Sequence, residues 1–201
     1  MAADSFLLDT ALQPTLRLYQ WDGPWLSLGY AQKELAVDIP WVRRPSGGRA
    51  VLHHHEITYA IVLPSFEGSL GEIYTRITSL WLRTLSGLRS GVARAEQSQS
   101  GEGDPSCYQL SQRGEIQLDG QKLVGSAQLR RGRRLLQHGS IPTEVDRELF
   151  ARVFPGARPP AAFGPLSCQQ LWEIFPKSLE RRDWSPEEVA HIEENARLYR
   201  A

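Results

Sequence analysis

Cys107 and Lys122 are the residues of this 201-residue chain best suited to covalent chemistry. The thiolate is the nucleophilic form of cysteine, and a free thiol with a pKa of about 8.5 is only a few per cent thiolate at neutral pH. An ammonium within about 4–6 Å favours the thiolate, and the same lysine can exchange a proton with a group that reacts at the sulfur. If the fold brings the two residues together, they form a nucleophile with an acid–base partner. The alternative is that Cys107 is a small apolar residue of the core.

Lysine is scarce in this sequence. Of 23 basic residues only Lys33, Lys122 and Lys177 are lysines, and the others are arginines. Arginine stays charged at any working pH, whereas lysine can lose a proton, so a lysine kept against this bias is a candidate for acid–base work. Codon usage that favours arginine is the alternative explanation.

Two glycine-containing segments could hold a ligand. Gly47-Gly48 allows backbone amides to approach an anionic oxygen closely, although an ordinary tight turn has the same composition. Gly125-Ser126-Ala127 places small residues on a strand, where they leave a slot for a narrow aliphatic chain or simply allow close packing of a helix.

The first 142 residues predict a sheet with flanking helices. We expect helices over 1–12 and 69–90, a hairpin of strands 15–20 and 25–30 around Asp22-Gly23-Pro24, and a strand that ends at Pro64. Residues 96–106 read as an exposed loop that delivers Cys107 to the start of a strand. Two further turns, at Asp119-Gly120 and in RRGRR (130–134), predict three adjacent strands, with Lys122 just past the first turn.

The remaining residues predict helices. Thr143–Phe154 opens with a capping residue and ends at Pro155-Gly156, Leu166–Phe175 follows a proline-rich connector, and Ser185-Pro186 starts the last helix. Cys168 lies on an apolar helical stretch and reads as a core residue. We therefore predict an α/β (α+β) fold with a mixed sheet: a catalytic domain over 1–142 and a helical segment over 143–201 packed on it.

Three segments of the sequence resemble those of the lipoate–protein ligase and octanoyltransferase family. RRPSGGRAVLHH (43–54) and KLVGSAQLRRGRRLLQHGSI (122–141) resemble its signature blocks, and PTLRLYQWDGPWLSLGYAQ (14–32) resembles its first hairpin. The resemblance covers most of residues 1–142 and implies the biotin/lipoate-ligase type of catalytic domain. Lys122 matches the lysine of the K-x-x-G-x-A motif, and Cys107 resembles the nucleophile of the cysteine-dependent octanoyltransferases.

The resemblance implies a two-step transfer. Cys107 would take an octanoyl group from acyl carrier protein as a thioester, and a lysine of a lipoyl domain would then attack it, with Lys122 assisting both steps. No cofactor is needed. The expected substrate-binding residues lie in the signature blocks: Arg44, Ser46, Gly47, Gly48, Arg49, Ala50, His53, Gly125, Ser126, Ala127, His138 and Gly139.

Two alternatives stay open. An ATP-dependent lipoate–protein ligase would need ATP and Mg²⁺, but such ligases typically carry three consecutive glycines where this chain has Gly47-Gly48-Arg49. They also carry a further C-terminal domain. A non-catalytic relative that binds lipoyl domains or acyl groups is the second alternative.

Composition excludes several other classes. Lys+Arg and Asp+Glu both number 23, so nothing in the overall charge indicates nucleic acid or an anionic membrane as a partner. We read RRGRR as a solvated turn; the alternatives are contact with a phosphate-bearing partner, such as the prosthetic arm of acyl carrier protein, and binding of nucleic acid. Two cysteines, no signal-peptide pattern and no long apolar run indicate a soluble cytoplasmic protein, which we expect to be monomeric. His53 and His55 would share one face of a strand, but no further ligand is suitably spaced, so we predict no metal site.

Overall fold

A computed structural model describes residues 1–96, 105–109, 114–176 and 183–199. These residues form a mixed α/β fold in which helices flank three small sheets. No helix among them is both long and apolar enough to cross a membrane. In chain order the elements are α1 (Ala2–Thr10), β1 (Thr15–Tyr19), β2 (Trp25–Leu28), β3 (Trp41–Arg43), β4 (Val51–His53), β5 (Glu56–Leu63), α2 (Leu70–Leu88), β6 (Val92–Arg94), β7 (Ile116–Leu118), β8 (Gln121–Lys122), β9 (Gly125–Arg131), β10 (Arg134–Pro142), α3 (Arg147–Val153), α4 (Cys168–Ile174) and α5 (Pro186–Ala196).

The main sheet is antiparallel, in the order β1-β5-β10-β9, and helix α2 covers one face of it. The amphipathic spacing of α2 buries Ile73, Ile77, Trp81 and Leu85, whereas Leu70 and Leu88 at its two ends are exposed. Ser69 starts the helix: its side chain accepts from the Glu72 amide, and the Glu72 carboxylate accepts from the Ser69 amide at 2.7 Å. The predicted helix and its packing on a sheet are confirmed.

The second sheet has the order β3-β2-β4 and corrects the predicted first hairpin. Strands β1 and β2 both exist, but β1 pairs with β5 and β2 pairs with β3 and β4. The connection between β1 and β2 carries Trp21, whose ring stacks on His53 at 4.4 Å and whose indole N–H donates to the Thr58 hydroxyl at 3.0 Å. These contacts hold the connection in place where the backbone passes from the main sheet to the second sheet.

The third sheet, in the order β6-β7-β8, corrects the prediction of three adjacent strands. The turn at Asp119-Gly120 forms as predicted, with both residues at positive φ, and Lys122 follows it in β8. The chain then leaves this sheet, because the amides of Leu123 and Val124 both donate to the carbonyl of Ile116 and both side chains are buried. Strand β9 therefore belongs to the main sheet, where it turns at Gly132 into β10, as RRGRR predicts.

The C-terminal helices pack on the same body, with two shifted boundaries. Helix α3 begins after Asp146, whose carboxylate accepts from the Leu149 amide at 2.9 Å, and the predicted cap Thr143 instead bonds the carbonyl of His55. Helix α4 begins after Ser167. The cap at Ser185 is confirmed. Phe6 of α1 contacts the rings of Trp184 and His191, which ties the two ends of the chain together; the division into 1–142 and 143–201 stays a prediction.

Candidate active site

Backbone hydrogen bonds place Cys107 beside the glycine loop. The Ala50 amide donates to the Pro105 carbonyl at 2.9 Å, and the Cys107 amide donates to the Ala50 carbonyl at 2.8 Å. In the described residues that directly follow, 107–109, a single 3₁₀ turn stands in place of the expected strand, and the pairing with Ala50 is one bridge, at Ser106. Most of the predicted loop before it, residues 97–104, lies outside the described part of the chain.

Lys122 lies against Cys107, although 15 positions separate them in the sequence. Its Nζ is 3.9 Å from the Cys107 Sγ and donates to the Cys107 carbonyl at 3.0 Å. The same Nζ is 2.8 Å from Oε2 of Glu115, and both side chains are nearly buried. The structure thus joins the thiol, the ammonium and a carboxylate that the sequence did not indicate.

Arg44 organises the loop that faces the cysteine. One end of its guanidinium donates to the Ser27 carbonyl at 2.9 Å, and the other donates to the carbonyls of Gly47 and Arg49 at 3.0 and 2.6 Å. Burial lowers the pKa of Arg44, and the nearby Cys107 opposes this shift. Gly48 has φ near +93°, a conformation that favours glycine. The hydrogen bonds of Arg44 therefore hold the glycine loop in its conformation, and its guanidinium adds a second positive charge near the thiol.

An inner cavity of about 40 Å³ opens beside Cys107 and presents mainly apolar atoms. Its lining comprises Met1, Ser27, Arg44, Gly48, Val51, His53, Thr58, Cys107, Gly125, Ser126, Ala127, His138, Gly139 and Ser140.

A second, outer cavity of about 330 Å³ lies on the other side of Cys107, within the size range of small-molecule sites. Cys107, Gly48, Ser126 and Ala127 line both cavities, so the thiol stands at their junction. The rest of the outer lining is polar or charged except for glycine: Gly47, Arg49, Tyr74, Glu115, Lys122 and Gln128. A group bound in the inner cavity can therefore meet a reactant that arrives through the outer one.

Two buried polar networks support the inner cavity. His53 bonds Glu56 at 2.6 Å and the Ser27 hydroxyl at 2.7 Å, and Glu56 also accepts from Thr58 and Ser140. These bonds hold the ring of His53 in the cavity wall and satisfy a carboxylate that is otherwise costly to bury.

The second network joins helix α1 to the glycine loop. His138 bonds Asp4 at 3.2 Å through one ring nitrogen and Ser46 at 2.5 Å through the other. Burial lowers the pKa of His138, the Asp4 carboxylate opposing it. Burial acts to raise the pKa of Asp4, but the hydrogen bond to His138 and the charge of Arg17 outweigh it and hold that pKa below its usual range. A neutral His138 can donate to Asp4 and accept from Ser46.

The predicted site residues gather in one region of the molecule. Ten of the twelve expected substrate-binding residues line one or both cavities. The other two, Ser46 and Ala50, stand behind the loop, where Ser46 bonds His138 and Ala50 bonds the Cys107 segment. Cys168 begins α4, half-buried against the main core, where burial raises its pKa.

The histidine run is arranged differently from the prediction. Strand β4 ends at His53, and His55 adopts a φ of 53°, which turns the chain into β5. His53 is therefore buried, whereas His55 is exposed beside His54 with ring centroids 3.7 Å apart. No group of three or more potential ligands suited to a metal ion occurs in the part of the chain that the structure describes.

The chain belongs to the family of lipoyl protein ligase A/B catalytic domains, whose family model matches residues 1–191. Among curated relatives, an octanoyltransferase LipM from Carboxydothermus hydrogenoformans is 39% identical over 76% of this chain. One from Kyrpidia tusciae is 41% identical over 72%. The aligned regions cover 63% and 61% of those two proteins, so the match spans somewhat less than two thirds of their length.

Solved structures share the fold. A lipoate-protein ligase A bound with ATP superposes with a TM-score of 0.76 and 17% identity, over 96% of this chain and 87% of the other. A bi-partite lipoate protein ligase from Thermoplasma acidophilum, solved in a study with its E2 lipoyl domain, gives 0.66 and 18%, over 96% and 85%. These likenesses confirm the predicted fold type.

Proposed function

We propose that the chain is an octanoyltransferase that carries an octanoyl group from acyl carrier protein to a lysine of a lipoyl domain. The observation that carries the proposal is the position of Cys107, at the junction of two cavities and 3.9 Å from Lys122 Nζ. Relatives named octanoyltransferases support the same reaction.

In the first step Cys107 acts as the nucleophile. Its sulfur attacks the octanoyl thioester as the thiol loses its proton, and Lys122 relays that proton to the leaving thiol of the donor, so the lysine ends the step as the ammonium it began as. Amides of the loop at Gly47, Gly48 and Arg49 stabilise the developing oxyanion, while the carbonyls of that loop point toward Arg44. The acyl chain enters the inner cavity past Gly125, Ser126 and Ala127.

In the second step the lipoyl-domain lysine enters through the outer cavity and attacks the Cys107 thioester. The product amide leaves and the thiol is restored, so the reaction consumes no nucleotide and uses no cofactor. The chemistry suits a monomer in the cytoplasm, where thiols stay reduced and both acyl carrier protein and lipoyl domains are reachable.

Intact mass spectrometry tests this function. The purified protein is incubated with octanoyl-acyl carrier protein, without ATP, and then with a lipoyl domain. We expect a gain of one octanoyl group that hydroxylamine reverses, that Cys107→Ser abolishes, and that passes to the lipoyl domain. Absence of the adduct contradicts the proposal. Formation of lipoyl-adenylate from lipoate and ATP would instead establish a ligase, and acyl binding without transfer would indicate a non-catalytic relative.

A further inference from the structure

We propose that Glu115 is the general base of the second step, the group that removes a proton from the ammonium of the acceptor lysine. This inference rests on the proposed octanoyl transfer and adds a residue to it. A lysine with a pKa of about 10.4 is neutral in only about one molecule in a thousand at pH 7.4, and only the neutral amine attacks a thioester. The second step therefore needs a proton acceptor that the first step does not.

Glu115 is placed to be that acceptor. Its carboxylate lines the outer cavity together with Cys107 and Lys122, so it faces the route by which an amine reaches the thioester. The Gly114 amide donates to the Ala95 carbonyl and the Ala95 amide to the Glu115 carbonyl, and these bonds fix the backbone of Glu115. The side chain is about 9% exposed and lies 2.8 Å from Lys122 Nζ. An approaching ammonium is attracted to this carboxylate and positioned beside the sulfur.

Lys122 is a poor candidate for the same task. It already donates to Glu115 and to the Cys107 carbonyl, and a protonated ammonium cannot accept a proton. The other titratable groups of the outer cavity are Arg49, Tyr74 and Cys107. Of these, the arginine is always charged and the thiol is acylated at this stage. Burial, with the charge of Glu115 as a secondary cause, raises the pKa of Tyr74, which keeps that phenol protonated.

In the second step one proton of the acceptor ammonium moves to Glu115 and another moves to the sulfur of Cys107. The acceptor ammonium gives one proton to the Glu115 carboxylate, and the neutral amine attacks the thioester carbon. The carbon–sulfur bond breaks, its electron pair stays on sulfur, and the second amine proton passes to that sulfur through Lys122. The products are the amide, the Cys107 thiol and a protonated Glu115, which releases its proton through the outer cavity.

Glu115→Gln tests the role, because it removes the basic oxygen while keeping the size of the side chain. Wild-type and variant proteins are acylated on Cys107 with octanoyl-acyl carrier protein, isolated, and mixed with a lipoyl domain or with hydroxylamine. Hydroxylamine is uncharged at neutral pH and needs no base. We expect the variant to slow transfer to the lipoyl lysine at least 100-fold more than it slows cleavage by hydroxylamine, as for loss of a general base.

Three comparisons make the result decisive. Glu67→Gln, at an exposed position outside both cavity linings, should transfer at the wild-type rate. Glu115→Asp retains a carboxylate and should recover part of the lysine transfer; it also provides the test if the glutamine variant does not fold. Equal slowing with both nucleophiles would show that Glu115 only holds Lys122 in place, and transfer to lysine within threefold of wild type would overturn the proposal. Failure of wild-type protein to acylate would refute the proposed function itself.

Discussion

Replacing Gly29 with alanine should displace the glycine loop and slow the reaction of Cys107. An added Cβ at Gly29 would stand 1.9 Å from the carbonyl oxygen of Gly48, a backbone atom that has no rotamer to change. The two segments must separate by about 1.5 Å to reach an ordinary contact of 3.4 Å. Overpacking of this kind typically costs about 1–3 kcal/mol, and a misplacement of about 1 Å in a reacting centre costs about 100-fold in rate. The loop carries the Ala50 carbonyl that holds Cys107, so both effects are expected.

The assay is the initial rate of octanoyl thioester formation on Cys107, followed by intact mass and normalised to the folded fraction from urea unfolding. Gly23→Ala is the matched control, because an added Cβ there meets nothing within 4 Å. We expect the Gly29 variant to be slowed about 100-fold and the control to match wild type. If Gly29→Ala reacts within threefold of wild type and unfolds at the same urea concentration, contact between residues 29 and 48 does not set the position of the loop.

Three further outcomes are expected. Burial lowers the pKa of His138, so as the pH falls the unfolded chain protonates this histidine before the folded protein does, and the stability that His138 contributes is lost below about pH 6.5. The urea midpoint of His138→Gln should therefore change less than that of wild type between pH 7 and 5, and equal changes would contradict this. Lys122→Met removes the ammonium 2.8 Å from Glu115 and should lower the free energy of unfolding, measured in urea, by about 3–5 kcal/mol. A second change, Glu115→Gln, should restore part of that stability, and additive losses would argue against coupling between the two side chains. Gly87→Ala, on an exposed helical position with open space around it, should gain roughly 0.5–1 kcal/mol, whereas a loss in the same assay would indicate an unrecognised contact.

Features decided by neighbouring residues could be predicted from the sequence. The start of α2 at Ser69 and of α5 at Ser185 depends on a capping box four residues long, and the turn at Asp119-Gly120 depends on two residues that tolerate positive φ. The contact between Cys107 and Lys122 was expected from the resemblance alone, because no local rule joins a 3₁₀ turn to a hairpin 15 positions away.

Features decided by distant pairing could not be predicted in this way. Strand β1 looks like half of a hairpin with β2, yet it pairs with β5 and buries Leu16 against the main core, and the local sequence pattern does not identify that distant partner. The separation of Lys122 from Gly125 into two sheets depends similarly on where Leu123 and Val124 are buried. In each case the alternation of apolar and polar residues predicts the strand, whereas the burial of its side chains determines which strand it pairs with.

Glu115 is a residue that the sequence could have revealed. The turn at Asp119-Gly120 sets Gln117 opposite Lys122. Residues two apart on a strand share a face, so Glu115 lies diagonal to Lys122 on the same side of the hairpin, within reach of long side chains. The register of this hairpin, continued to the residue before β7, is therefore the signal that pairs the Glu115 carboxylate with the Lys122 ammonium.

The residues of the site come from three sheets, and the residues that hold the thiol differ from part of the wall of the inner cavity. Cys107 is held by the segment that precedes β4, and Lys122 and Glu115 belong to the small sheet of β6, β7 and β8. Part of the wall of the inner cavity comes from β9 and β10 of the main sheet, where Ala127 pairs with His138, and Ser27, Val51 and His53 of the second sheet also line it. In the described residues the backbone amide of Cys107 bonds Ala50 and not β9 or β10. In the proposed octanoyl transfer we therefore expect a larger side chain at residue 127 to narrow the cavity while Cys107 stays bonded to Ala50.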